Sequence, residues 1–544
     1  MPICRSTLAL SALCLALSVV SGCGKEELID ETPNGGDETG NSGANGSGGD
    51  PGPCTPGETE ACYTGPEGTA GVGVCKVGTR VCNADGSGFG GCVGEVVPSA
   101  ENCVTPQDES CDGMAPSCGS DTLWSRRFGE GEGYGVVVGP DGNPVVVGRF
   151  SSSINFGGNT LSSAGGYDAF VAKLDGSSGE HIWSRRLGGS DDQTAWSVGL
   201  DAQGDVVVVG EFIGEMSVGG GNTLSSAGGN DIFVVKYDGA DGSHIWSKRF
   251  GDSMDQIARG VSVGPSGDVV ITGSFNGNVD FGTGAITSAG SFDLFVAKLD
   301  AQGGGVYATR YGDSDEQNGH AIAIEPSGGA VITGDFRGAM SLGATTLTST
   351  GSFDAFVARV DASGKPVYAK GYGSKNHPQR GYAVAVAPSG NALVSGLVRG
   401  DVDFGGGSLS AKNLDVFLLQ LDPSGGHVHS KLMGGKKADN PGGVALGANG
   451  KIIVTGGIPG EGNFDGTAIA AGGGFDAFVA RFDSSGSLKS AVAYGDASDQ
   501  FVNAVATDAA GRVFIAAQVS GTVDFGTGTL WGAEGELVLA KLQP

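Results

Sequence analysis

The sequence predicts an all-β fold: seven four-stranded units closed into a ring, the first strand of the array completing its last unit. Three observations carry this. First, an acidic residue followed by a short apolar strand recurs at Asp168, Asp231, Asp293, Asp354, Asp415, Asp476 and Glu536, in steps of 63, 62, 61, 61, 61 and 60 residues. A fixed period of this length marks an array of one supersecondary unit. Second, each period holds four strand-like segments, and apolar spacing of the helical kind is absent. Third, the array opens at Leu123-WSRRFG, which matches a fourth strand, and ends at Glu536-LVLAKL, a third strand. A ring uses that offset, because the opening strand can fill the place the last unit lacks and remove unpaired strand edges. Four-stranded blades in a circle form a β-propeller, and seven is within its usual range. An open β-solenoid is the alternative architecture.

The third unit shows the elements in order. Gly260-VSV is short and apolar. Asp268-VVITGSF is rich in β-branched residues and follows the turn signal Pro265-Ser-Gly. A long Gly/Asn/Ser connection runs from Asn276, then Asp293-LFVAKL is closed by Asp300-Ala-Gln-Gly, and Val306-YATRYG leads into the next unit. Segments such as Val206-VVVG are apolar throughout, as expected of strands covered on both faces. The glycines, 103 of 544 residues without a collagen period, recur in turns that require positive φ.

The N-terminal region divides into three. Residues 1–22 carry one charge, Arg5, and an apolar run from Leu8 to Val20, the form of a signal-peptide core and too short to span a membrane. Residues 23–53 lack aromatics and β-branched runs, which predicts a disordered tether with a span of roughly 30 Å. Residues 54–120 hold Cys54, Cys62, Cys75, Cys82, Cys92, Cys103, Cys111 and Cys118, whereas residues 121–544 hold no cysteine. An even count in a small exported segment predicts four disulfides, and eight cysteines leave the pairing open. No C-x-x-C pair supports zinc.

Composition narrows the partners. The formal net charge of −28, from 32 basic and 60 acidic side chains, argues against nucleic acid and against electrostatic docking on anionic lipid. No nucleophile elbow, P-loop or dinucleotide fingerprint stands in the required setting. The most site-like feature is an Asp/Gln turn after the fourth strand, present in four of the units. Its sharpest copy, Asp313, Asp315 and Gln317, offers hard oxygen ligands suited to calcium, while its repetition at Asp252–Gln256 and Asp496–Gln500 supports a turn-building role. His181 and His244 occupy equivalent framework positions. His427 and His429 share one strand face, and His320 and His377 are expected to be exposed. The strand lysines Lys173, Lys236, Lys298 and Lys541 alternate with Arg359, Arg481 and Gln420, which predicts a structural role. Phe281, Phe404 and Phe525, each after an aspartate, are expected to plug gaps between units. The fifth unit departs most, with Lys375-Asn-His377-Pro-Gln-Arg380 in place of the acidic turn.

The pattern G-D-V-V-x-T-G-x-F … V-D-F-G … S-A-G-x-x-D-x-F-V-A-K-L-D … W-S-x-R-F-G resembles the seven-bladed β-propeller repeat of bacterial cell-surface proteins. Val20-Ser21-Gly22-Cys23 resembles the lipobox of bacterial lipoproteins, which implies acylation of Cys23 with palmitate-type chains. Gly24 after it implies the outer membrane, with the propeller at the cell surface or the periplasmic face. Asp108-ESCDG resembles an element of Cys-rich modules in other surface lipoproteins. The expected function is thus a membrane-tethered, monomeric, non-enzymatic propeller presenting rim loops for adhesion or for binding a protein or glycan, without a cofactor unless calcium. Alternatives are a calcium-dependent binding propeller and an exported hydrolase or lyase on the same scaffold.

Overall fold

The computed structural model describes residues 54–66, 68–98 and 122–544. Chain contacts divide them into two units. One consists of residues 54–59 and 80–91 and holds the Cys54–Cys82 disulfide. The other takes residues 60–79 and those from Cys92 onward, and holds the Cys62–Cys92 disulfide and the propeller. Cys75 is buried and disulfide-bonded as well. The expected signal segment, Cys23, the tether, Cys103, Cys111 and Cys118 lie outside the described residues.

The predicted all-β, seven-bladed propeller is present. Each blade is a four-stranded antiparallel sheet, and that of blade 5 is extended to six strands by the hairpin of Gly462–Phe464 with Thr467–Ile469. Their innermost strands are Glu132–Val138, Gln193–Leu200, Gln256–Val263, Gln317–Ile324, Gln379–Val386, Asn440–Leu446 and Gln500–Thr507. Each innermost strand touches its neighbours in a complete circle, the seventh meeting the first. The closing strand, Thr122–Glu130, pairs with Leu530–Leu542 as the outermost strand of blade 7, with Ser125 opposite Ala540 and Arg127 opposite Val538. Among the described residues the only helical segment is a single 3-10 turn, Ala448–Gly450.

Burial explains the near-continuous apolar runs. The third strands, such as Asp168–Leu174 and Asp293–Leu299, are buried at every position. Side chains from the two faces of a blade enter different cores, and seven apolar clusters fill the seven interfaces between neighbouring blades. The cluster that joins Phe514 and Leu539 of blade 7 to Val146 and Phe170 of blade 1 seals the ring.

The connection between second and third strands is more ordered than its composition suggested. It folds into a small hairpin, such as Glu215–Gly219 with Asn222–Ser225, that reaches back to the outer strand of the preceding blade through the Gly188–Ser217 bridge. Phe281 sits there as expected, 4.9 Å from Phe250 of blade 2 and 5.1 Å from Phe295 of blade 3, while Asp280 accepts the amides of Gly282 and Gly284. The strand lysines have structural partners: Lys236 lies 2.7 Å from Asp201, and Lys173 donates to Gly239 O of the next blade at 2.7 Å.

Candidate functional site at one mouth of the propeller

Six of the seven innermost strands carry a one-residue bulge at the same place, and blade 6 carries a two-residue irregularity there. The residues left out of register are Tyr134, Trp196, Arg259, His320, Tyr382 and Asn503, with Gly442-Gly443 in blade 6. A bulge re-aims a side chain out of the strand's alternation. A second constant feature makes room for it. Opposite the strand, Gly148, Gly210, Gly273, Gly334 and Gly396 face an inner-strand carbonyl that an added Cβ would approach to 1.8–2.0 Å. Only glycine permits that approach. The bulge is therefore framework, but its side chain is chemically different in almost every blade. It is flanked by glycine, alanine or serine in blades 1 to 5.

Five of the six bulged side chains form two stacks. In the first, the Arg149 guanidinium lies 4.3 Å from the Tyr167 ring and 5.6 Å from that of Tyr134. Tyr134 meets Trp196 at 4.6 Å, and Arg259 lies 4.5 Å from Trp196. Trp196 Nε1 donates to Glu211 Oε1 at 3.0 Å, Arg149 pairs with Glu132 at 3.1 Å, and the Tyr134 hydroxyl bonds Glu132. In the second stack, His320 of blade 4 lies over Tyr382 of blade 5 at 5.0 Å and contacts Asp335 at 2.7 Å. Arg380 stands 3.5 Å from the same carboxylate and 4.9 Å from the Phe353 ring.

Electrostatics at the mouth follow from burial. Burial raises the Glu211 carboxyl against the pull of Arg259 and the Trp196 bond. Burial also works against the charge on Asp335, but His320, Arg380 and Asn318 outweigh it and hold that carboxyl below its usual range. The Tyr134 phenol is pushed well up by burial and by Glu132. Arg259 is half-buried, and among the described residues no carboxylate lies within ion-pair distance of it. A shallow cavity of about 190 Å³ adjoins the first stack, lined by Glu132, Arg149 and Tyr167 of blade 1 and Gln518 of blade 7. Together these groups offer ring edges, hydroxyls and guanidinium groups for binding.

The residues singled out by sequence fall differently. Asp313, Asp315 and Gln317 are brought together, but in a self-satisfied turn. Asp313 accepts the Asp315 amide at 2.9 Å, the Gln317 side-chain amide at 2.9 Å and the Ala339 amide at 2.7 Å. Among the described residues no group of three His, Cys, Asp or Glu side chains is placed to hold a metal ion. His320, expected to be exposed, is only 15% exposed and belongs to the mouth because its bulge turns it toward Asp335 and Tyr382. His427 bonds Ser430 at 3.0 Å, while neither ring nitrogen of His429 finds a partner among the described residues. Arg380, from the divergent fifth unit, does reach the mouth. The sequence signal of the bulge column is a variable large residue three positions after the glutamine that starts a first strand, set between small residues, as in Gln193-TAWS and Gln317-NGHA.

No family model matches the chain. It is similar to an uncharacterized WD repeat-containing protein of Acanthamoeba polyphaga mimivirus, 25% identical over 186 residues, covering 30% of this chain and 13% of that protein. It is also similar to the regulatory protein FlaEY of Caulobacter vibrioides, 25% identical over 209 residues, covering 36% and 21%. The matches thus span only a small part of these relatives' length. Among solved structures, the quinohemoprotein alcohol dehydrogenase of Comamonas testosteroni aligns with 78% of this chain and 76% of its own at 12% identity and TM-score 0.38. BamB from Moraxella catarrhalis aligns with 77% and 96% at 12% identity and TM-score 0.34. A europium-containing methanol dehydrogenase aligns with 86% and 88% at 9% identity and TM-score 0.35. The expectation of a non-enzyme is corrected by this set: it includes dehydrogenases, so a propeller of this kind gives no ground for excluding catalysis. Likenesses this distant assign the chain no reaction and no substrate.

Proposed function

We propose that this chain is a displayed binding propeller whose protein or glycan ligand docks at the axial mouth formed by the bulged residues. One observation carries the reading. The repeat keeps its bulge, its glycine and its core in nearly every blade, yet varies the bulged side chain through Tyr, Trp, Arg, His, Tyr and Asn. Residues that build a blade are repeated; residues that meet a ligand without sevenfold symmetry have reason to differ. Binding groups are commonly carried at the ends of a rigid scaffold, and aromatic and arginine side chains dominate binding energy at interfaces. In this reading residues 1–22 are a lipoprotein signal, Cys23 is acylated, residues 23–53 tether the chain to the outer membrane, and the Cys-rich segment 54–120 precedes a propeller of residues 121–544.

The test is a glycan and surface-protein binding array probed with the full chain and with Trp196→Ala, Arg259→Ala and Tyr382→Ala. The reading expects hits that these variants weaken at least about tenfold, the loss of one strong anchor. Substitutions on the opposite face, at Ser266 and Ser327, should leave the hits unchanged. Hits that survive all three mouth variants would place binding elsewhere and overturn the reading.

A further inference from the structure

Of the seven junctions only that of blades 5 and 6 lacks both groups that complete the anchor pocket elsewhere; blades 4 and 6 also lack the arginine, with Gly371 and Ala493 at its register position, but keep the glutamine of the next blade. The anchor carboxylate of each blade sits at the start of the third strand, facing the outermost strand. Asp168, Asp231 and Asp293 each receive an arginine from that strand, at 2.8, 2.5 and 2.6 Å, and Arg127 does the same for Glu536 at 2.8 Å. Arg249 bridges its carboxylate to Gly251 O at 3.1 Å, and Arg310 reaches Gly312 O. In these four blades the pocket thus holds a cationic nitrogen on the carboxylate, shared with a carbonyl in blades 2 and 3. A glutamine from the next blade completes it: Gln256 accepts the Asp252 amide at 3.0 Å and donates to Asn276 O at 2.8 Å.

At Asp415 both contributions are gone. The register position of the arginine, opposite the phenylalanine of the third strand, is occupied by Leu432 opposite Phe417. The glutamine position is occupied by Asp439, whose amide donates to Leu414 O at 2.7 Å just as that of Gln379 donates to Phe353 O at 2.8 Å. Asp415 is 8% exposed and Asp439 5%. Among the described residues Asp439 Oδ2 is buried without a hydrogen-bond partner, and so is Asp415 Oδ1, as the matching oxygens of Asp168, Asp231, Asp293 and Asp476 are. Both converge on one spot beside Gly434, where an added Cβ would lie 2.3 Å from Asp439 Oδ2 and 2.9 Å from Asp415 Oδ1. The backbone amide that bonds the anchor at Asp168, Asp231, Asp293 and Asp476 has no counterpart at Asp415 among the described residues. The pocket has therefore exchanged a carboxylate and a guanidinium for two carboxyl groups. Burial, with Asp415 alongside, pushes Asp439 up to about 8, and burial pushes Asp415 up to about 6.

We infer that Asp415 and Asp439 hold a hard divalent cation, which takes the place that an arginine fills in blades 1, 2, 3 and 7. Hard cations favour carboxylate oxygens, with coordination completed by water or backbone carbonyls, and a buried charge needs a partner. Gly434 leaves the space at the convergence point that a side chain would block.

Thermal unfolding of the full chain at pH 7.5, with excess calcium, with magnesium, or with EDTA, tests this. The inference expects a midpoint rise on the order of 3–5 °C with one of the two metals at a hundredfold excess over its dissociation constant. Leu432→Arg, which installs the arginine of the sister blades, should raise the metal-free midpoint and abolish the response. Asp439→Gln, which restores the glutamine of the sister blades, should also abolish it. Three results overturn the inference: no response to either metal, a response kept by both variants, or a response lost in Asp313→Asn but kept in Asp439→Gln. The last would assign the ion to the acidic turn.

Discussion

Tyr134 and Trp196 occupy the same bulge in neighbouring blades, and their rings meet at 4.6 Å across the interface between blades 1 and 2. The contact ties two blades together at the mouth while Trp196 also holds Glu211 and supports Arg259. Trp196→Ala removes an aromatic pair, a cation–π contact and the donor to a half-buried carboxylate. The expected loss of stability is about 2–4 kcal/mol. Trp196→Phe keeps the stack, forfeits only the donor and should lose less. Urea unfolding of the three proteins checks the order; a Phe variant as unstable as the Ala variant would show that the ring contacts contribute little.

Acid should unfasten the second stack. Asp335 has its carboxyl held below the usual range in the folded chain by His320, Arg380 and Asn318 against the cost of burial. A depressed carboxyl contributes stability that is fully present above the unfolded value, 3.8, and is lost as pH falls through the folded value. Asp335→Asn should therefore flatten the fall in midpoint below about pH 4. It should also destabilise the chain by about 1–3 kcal/mol near neutrality, since it weakens the contacts of a buried carboxylate with His320, Arg380 and Asn318. Unfolding midpoints between pH 2 and 7 decide it, and an unchanged acid limb in the variant would contradict this reading.

Lys236 lies among Asp201 at 2.7 Å and Asp205 at 3.3 Å, on the face away from the mouth. Lys236→Met leaves Asp201, 2% exposed at its side chain, without a counter-charge. The expected cost is about 3–5 kcal/mol. The double variant Lys236→Met with Asp201→Asn should recover part of that loss. Chemical denaturation of both proteins measures the recovery, and none at all would mean that packing rather than charge sets the cost.

Removal of residues 122–130 should be costlier than any single substitution. Without that strand the Leu530–Leu542 edge of blade 7 is unpaired, and Trp124 and Phe128 leave the core between blades 7 and 1. Exposed edges template association. A chain lacking these residues is expected to elute as aggregates and to unfold without a sharp transition. A monodisperse, cooperative product would show that six complete blades and a three-stranded seventh suffice.

The ring was legible because its signals are periodic. The recurring Asp-x-Phe-Val strand, the offset ends and the doubly covered apolar runs all follow from repeated packing, which a single sequence displays seven times. The mouth was not, for a physical reason. A bulge is a register event between two strands, and Gln256-IARG shows only a large residue between small ones until Gly273 is set opposite Ala258 and Arg259 is seen to leave the ladder. The same blindness misplaced His320, an exposed histidine by composition but a partner of Asp335 once the strand slips by one residue. The acidic turns read as site-like because they are rich in oxygen; in the fold those oxygens are occupied by local amides, as Asp313 shows.

The seam between Thr122–Glu130 and Leu530–Leu542 gives the chain a length check. The first strand of the array has no lasting partner until the polypeptide is complete to Leu542. A product that stops one blade early keeps two sticky margins and cannot become a closed disc. Closure of the ring thereby waits on the last-made strand, with the earliest-made strand serving as the final latch.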